Sequence, residues 1–225
     1  MMNMVYSLDK ITEDVRRAID HNSRESLLIE EEDEGTLDLS EMVASKVLEG
    51  VRRIELAAPA YLLEEGHNFG DAIYWCDRGS GRIGLPDDFM RLITFKMSDW
   101  DRAVFDAITP SDPRYALQSS RSRGIRGNVQ RPIVAIVNMP WGKALEFYSC
   151  KNNEATVERA TYLPYPEIDC TGGVDISERC YEAVIYQISA LVLISYGQSE
   201  QAANLQAMAQ SLAGITHGRE EGDRG

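Results

Sequence analysis

The run Gly84-Leu85-Pro86-Asp87-Asp88-Phe89-Met90-Arg91-Leu92-Ile93-Thr94-Phe95 decides the fold class of this 225-residue chain. Pro86 fixes φ and removes a backbone donor, and the two aspartates after it favour a turn. Beyond the turn Phe89, Arg91, Ile93 and Phe95 alternate with Met90, Leu92 and Thr94, the period of a strand with two different faces. The segment leads into a β-rich middle, and on both sides of that middle the period is helical. The expected fold is therefore α+β: a helical bundle formed by the N- and C-terminal helices, interrupted by a mostly antiparallel β insertion with a long loop.

On the N-terminal side, Leu8, Ile11, Val15, Ala18 and Ile19 recur at helical spacing, so a helix is expected from near Ser7, its cap, to Asn22. Asp38-Leu39-Ser40-Glu41 reads as a capping box, opening a second helix with Met42, Val43, Val47, Val51 and Ile54 on one face. Pro59 is expected to end or kink that helix, and a short helical piece from Ala60 to Glu65 is expected before Gly66. Inside the insertion, strands are expected at Ala72–Cys76, at Met90–Met97, around Ala103–Phe105, and at Thr156–Leu163. Pro132–Val137 and Ala144–Tyr148, joined by the turn Pro140-Trp141-Gly142, should form a hairpin. The stretch from Ile108 to Gln130 has no period and is long for a plain connection, the mark of a functional or mobile loop.

On the C-terminal side, Asp175-Ile176-Ser177-Glu178 is a second capping box. The helix after it is apolar all round at Ala190, Val192, Leu193 and Ile194, which places it at the centre of a bundle or under a partner. Ser199 is the expected cap of a final helix carrying Ala202, Leu205, Met208 and Leu212. The divisions expected from these periods are helices over 1–69, the β-rich insertion over 70–166, helices over 167–214 and a flexible tail over 215–225.

A chain of this length buries roughly 70–75% of its unfolded surface. No stretch approaches the ~20 apolar residues of a membrane span, and Met1-Met2-Asn3-Met4-Val5 lacks the basic and apolar regions of a secretion signal. No membrane is expected as a partner, and synthesis in the cytoplasm is expected. Residues 1–70 hold 16 acidic and 7 basic side chains, residues 71–170 hold 13 of each, and residues 171–225 hold 7 acidic and 3 basic, for a total of −13. The helical arms are expected to be acidic, and an acidic protein is a poor general binder of nucleic acid. The balanced middle hides an asymmetry: Arg114, Arg121, Arg123, Arg126 and Arg131 fall in one stretch without an acid. That stretch is the candidate site, for contact with another copy's acidic arm or with DNA phosphate. A solvated loop with unrelated ion pairs is the other reading.

Other chemistry is sparse. Cys76, Cys150, Cys170 and Cys180 lie at no metal-ligand spacing, and the three histidines supply no ligand pair, so free thiols and no metal are expected. The run Glu30-Glu31-Glu32-Asp33-Glu34 lacks the alternation of a calcium loop and reads as a solvated, self-repelling loop. Asp87 and Asp88, at adjacent positions, would point to opposite faces of a strand, which argues against paired acid–base work. Trp75, Trp100 and Trp141 are expected in core or interface packing. No phosphate loop, dinucleotide fingerprint or nucleophile elbow occurs, so no cofactor and no catalytic residue are expected.

The lead-in Leu85-Pro86-Asp87-Asp88-Phe89-Met90-Arg91-Leu92, set between a mostly helical start and closing helices rich in Tyr and Ala, resembles that of the head-to-tail adaptor, or ring, proteins of short-tailed bacteriophages. Arg126-Gly127-Asn128 before Pro132-Ile133-Val134-Ala135, and Leu145-Glu146-Phe147-Tyr148 before Tyr162-Leu163-Pro164, resemble the ring proteins of crAss-like phages in particular. The resemblance covers roughly residues 40–212; the acidic run at 30–34 lies outside it. It implies a non-enzymatic structural virion protein in the tail or neck, a homo-oligomeric ring commonly of twelve copies. Such a ring binds the portal protein above and further tail or ring proteins below, and surrounds passing double-stranded DNA without sequence-specific binding. Two other functions are consistent with the residues: an assembly chaperone or binding module absent from the mature particle, and a metal-dependent hydrolase using Asp87 or Asp88 with the acidic loop.

Overall fold

The computed structural model describes residues 4–22, 38–70, 72–122 and 124–215. The acidic run at 30–34, Arg123 and the tail from residue 216 lie outside the described residues. In chain order the elements are β1 (Met4–Ser7), α1 (Leu8–Asn22), α2 (Leu39–Ala57), β2 (His67–Asn68), β3 (Tyr74–Trp75), β4 (Gly81–Gly84), β5 (Phe89–Met97), α3 (Pro113–Leu117), β6 (Val134–Met139), β7 (Gly142–Phe147), β8 (Val157–Pro164), β9 (Gly173–Ile176), α4 (Tyr181–Ser195) and α5 (Ser199–Leu212). The fold is α+β, with helices from both ends of the chain and an antiparallel β insertion between them. The chain divides into a helical unit, Met1–Glu64 with Pro166–Gly225, and a β unit, Glu65–Tyr165.

In the helical unit, α4 packs against α1, α2 and α5. Its residues from Ala183 to Leu193 are buried except Tyr186, which explains a helix with almost no polar face. Gly50 of α2 permits the approach to α4: a Cβ there would lie 2.5 Å from Ile188 Cγ1. Ser7 caps α1 as expected, its hydroxyl accepting the Lys10 N–H at 3.3 Å. The strand just before it was not expected. Met4–Ser7 pairs antiparallel with β9, and Tyr6 stacks on Tyr181 with ring centroids 3.9 Å apart.

Neither expected capping box forms. Asp38 makes no side-chain cap, and α4 begins only at Tyr181, after a 3₁₀ turn. Ser177 is diverted: its N–H donates to Glu55 Oε1 at 2.9 Å and its hydroxyl accepts the Glu64 N–H at 3.4 Å. The last helix likewise starts with Ser199 inside it rather than as its cap. The acid excess of the N-terminal arm is not carried by its helices. α1 and α2 together carry seven acidic and six basic residues (histidine excluded), so the acid excess at this end of the chain lies outside them.

The β unit holds a three-stranded sheet ordered β2-β8-β5 and a four-stranded sheet ordered β3-β4-β7-β6, each antiparallel throughout. It begins at Glu65, upstream of the expected boundary at 70, because His67 and Asn68 pair with Tyr162 and Thr161. Phe69, Phe95, Trp100, Leu145 and Phe147 share one core. Gly81 leaves space for the Phe147 ring, since a Cβ there would sit 2.4 Å from Phe147 Cζ. The β6–β7 hairpin forms as expected. β5 departs from strict alternation: it is buried on both faces except at Arg91 and Lys96, and the pairing register with β8 shifts three times. Of the strand expected at Ala72–Cys76 only β3 remains, and Val104 contributes a single bridge to Phe95.

The stretch 108–130 is more structured than its composition suggests. Ile108 bridges Ala135, and Asp112 caps the five-residue α3, with Pro113 in its first turn. Buried Gln118 ties the two ends of the segment, donating to Arg114 O at 2.8 Å and accepting the Gly127 N–H at 2.9 Å.

Candidate partner-binding cleft

The expected site residues separate into distinct settings. At the lead-in, Phe89 N–H donates to Pro86 O at 3.1 Å, closing the turn, and Leu85 N–H donates to Lys143 O at 3.0 Å. Asp87 and Asp88 are in that turn and exposed, not on opposite faces of a strand. The Asp88 carboxylate accepts from the Tyr162 hydroxyl at 2.9 Å, and its carbonyl accepts the Tyr165 N–H at 2.8 Å. Phe89 is buried and stacks on Tyr162 at 5.6 Å. Burial and then the Asp88 charge push the Tyr162 hydroxyl up to about 12, so it stays protonated and donating. Asp88 is thus committed to anchoring β8, and Asp87 does not join it.

The arginines also part. Arg114 forks onto Asp112, Nε to Oδ1 at 3.0 Å and Nη2 to Oδ2 at 2.6 Å, and both groups hold their ionised forms through this pairing. Arg121 and Arg131 are exposed, with no carboxylate in ion-pair reach among the described residues. Arg123 lies outside the described residues. Arg126 is buried and lines a cleft of about 530 Å³ together with Arg82, Tyr115, Gln118, Glu146 and Tyr148. Arg126 and Tyr148 also border a neighbouring hollow of about 420 Å³. One wall of the cleft therefore comes from the arginine loop, and the other from β4 and β7.

Glu146 is the hub, and nothing in the sequence reading singled it out. It is opposite Arg82 in the β4–β7 register and buried between the apolar Leu145 and Phe147 of its strand. Arg82 Nε donates to its Oε1 at 2.6 Å; the hydroxyls of Tyr115 and Tyr148 donate to Oε2 at 3.0 Å and 2.5 Å. Burial acts to raise the Glu146 carboxyl, but these three donors outweigh it and hold the carboxyl below its usual value. Burial and then Glu146 raise both tyrosine hydroxyls, and the bond to Glu146 raises Arg82. A sequence signal was available: a charged residue at the centre of a hairpin strand, two positions from a tyrosine on the same face.

Chemically the cluster is a poor acid–base device, because its carboxylate is ionised and already accepts three bonds. Its effect is to orient the Arg82 guanidinium, a planar donor suited to carboxylate or phosphate, in the cleft that Arg126 also lines. Among the described residues no group of three or more His, Cys, Asp or Glu side chains is arranged to hold a metal ion. The four cysteines are free thiols, and burial pushes Cys150 up to about 12, an unreactive value. No described helix is long and apolar enough to cross a membrane. No protein-family model matches the chain, and comparison with curated proteins finds no match.

Proposed function

We propose that this chain is a non-enzymatic structural virion protein, a ring-forming head-to-tail adaptor that links a phage portal to the tail and lines the DNA channel. The observation that carries the proposal is the set of large apolar side chains left in solvent on both units. On the β unit, Tyr74 (63% exposed) packs on Trp141 (56% exposed) at 6.2 Å, and Phe105 and Ile125 are equally open. On the helical unit Val5, Tyr61 and Ile194 are exposed. An exposed apolar pair such as Tyr74 and Trp141 is a candidate interaction surface, and a heterologous ring needs two different surfaces on each subunit.

Charge supports the same reading. The helical unit carries 24 acidic and 10 basic residues, a net of −14, and the β unit 12 and 13, a net of +1. An acidic wall repels phosphate and lets double-stranded DNA pass without gripping it. The partners are further copies of the chain, the portal protein and the next tail component, and the place is the neck of the particle after synthesis in the host cytoplasm. The rival assembly factor differs in leaving before the particle matures. The rival hydrolase loses ground because Asp88 is engaged by Tyr162 and Tyr165.

The test is the mass of the purified protein by size-exclusion chromatography with light scattering, alone and mixed with portal protein. A closed ring, formed alone or on the portal, is expected. A strict monomer indifferent to the portal would refute the adaptor role. Absence from purified virions of a protein that does bind the portal would favour the assembly factor.

A further inference from the structure

We infer that the cleft and its arginine loop receive the acidic segment Glu30–Glu34 of a neighbouring copy, so that this contact fastens one subunit to the next. The inference rests on the adaptor reading and specifies which surfaces meet. Four observations point to this occupant. First, Arg121 and Arg131 are exposed and have no carboxylate partner among the described residues. Second, the loop that bears them also forms a wall of the cleft, through Tyr115, Gln118 and Arg126. Facing it, Arg82 is held in position by Glu146 at 2.6 Å, so a guanidinium is set in the cleft before any ligand arrives.

Third, the loop is amphipathic: Leu117 and Ile125 are exposed on either side of Arg121. The chain contains one segment with the complementary order, Leu27-Leu28-Ile29 followed at once by Glu30-Glu31-Glu32-Asp33-Glu34. Apolar side chains would cover Leu117 and Ile125 while the carboxylates meet the guanidinium groups. Fourth, donor and acceptor lie on different units, one strongly acidic at −14 and the other near neutral at +1. A second copy can therefore present its acid to this copy's loop while its own loop stays open for the next. That is head-to-tail growth, which closes where the rotation allows. Removing the five acids to interfaces still leaves a helical unit with 19 acidic and 10 basic residues to face DNA. DNA is a weaker candidate for the loop, because the chain as a whole carries −13.

Two variants test this, the first at two exposed arginines and the second in the acidic run. One reverses the loop, Arg121→Glu with Arg131→Glu. The other neutralises the run, Glu30→Gln, Glu31→Gln, Glu32→Gln, Asp33→Asn and Glu34→Gln. The first measurement is fluorescence anisotropy of a labelled peptide spanning residues 27–37, titrated with the run-neutralised protein. Binding is expected, at least tenfold weaker when the loop is reversed as well, and weakened by raising salt to about 0.5 M, where the screening length falls to a few ångströms. The second is light scattering of the two variants mixed. Each keeps one working surface, so the mixture should form heterodimers that cannot grow further.

No peptide binding, equal binding to the loop-reversed protein, or preference of the loop for duplex DNA over the peptide would overturn the inference. So would the absence of any mixed species, which would mean that the run serves its own chain. Rings that assemble normally from either variant would overturn it while leaving the adaptor role intact. Peptide binding by a protein that never assembles, even on the portal, would instead remove the adaptor role.

Discussion

Replacing Glu55 with glutamine should flatten the pH dependence of stability in the helical unit. Glu55 is buried on α2, where it accepts the Ser177 N–H at 2.9 Å, and burial pushes its carboxyl up to about 7 from an ordinary 4.5. The Ser177 bonds oppose that rise without cancelling it, and Asp175 adds to it. The folded protein therefore holds a proton that the unfolded chain releases, so stability falls as pH rises. The contribution is whole below about pH 4.5 and is lost as pH passes through about 7. Over that span of roughly 2.5 pH units, at about 1.4 kcal/mol for each, the loss comes to about 3 kcal/mol. Glutamine keeps the shape and the acceptor for Ser177 but does not titrate. Urea unfolding followed by circular dichroism, on wild type and Glu55→Gln from about pH 5 to 8, measures the difference directly, because every other carboxylate cancels. Wild type should lose about 2–3 kcal/mol relative to the variant across that range. Parallel curves would refute the reasoning, since they would mean that Glu55 is not held protonated in the folded protein.

Three further outcomes follow from close approaches in the two units. Gly66→Ala places a Cβ 2.1 Å from Tyr162 O at a φ of +68°; the strained backbone alone costs about 1–3 kcal/mol. Gly172→Ala, at φ +77° but with open space around it, should cost less in the same chemical-denaturation assay. Tyr148→Phe removes the shortest donor to the Glu146 carboxylate, at 2.5 Å. A hydrogen bond to a charged group is worth about 1.5–3 kcal/mol, so the urea midpoint at neutral pH should drop. An unchanged midpoint would mean that Arg82 and Tyr115 suffice. Gly50→Val drives a side chain into Ile188, 2.5 Å away, and overpacking of this kind costs about 1–3 kcal/mol, read as a lower melting temperature.

Local chemistry was enough to read the architecture. The period of Leu8–Ile19, the unbroken apolar end of α4, the turn at Leu85–Asp88 and the Pro140–Gly142 hairpin are each written in residues within a few positions of one another. A helix, a turn or a two-strand hairpin is decided at that range. What lay beyond reach depends on residues distant in sequence. Met4–Ser7 is a strand only because β9, some 170 residues later, supplies its partner. The capping box expected from Asp175 to Glu178 fails because Asp175 is taken into β9, paired with Val5 near the start of the chain. The five arginines are equivalent as letters, yet one is forked to Asp112, one is buried in the cleft and two face solvent. The cleft itself is a tertiary product: Arg82, Tyr115, Glu146 and Tyr148 come from three separate elements and the end of a hairpin. A buried carboxylate is tolerated only where such distant donors converge on it. Sequence alone determined the α+β layout, helices on both sides of a β insertion, and the uneven charge. Only the packed chain decided which polar side chains face one another, because burial and long-range register are properties of the whole fold.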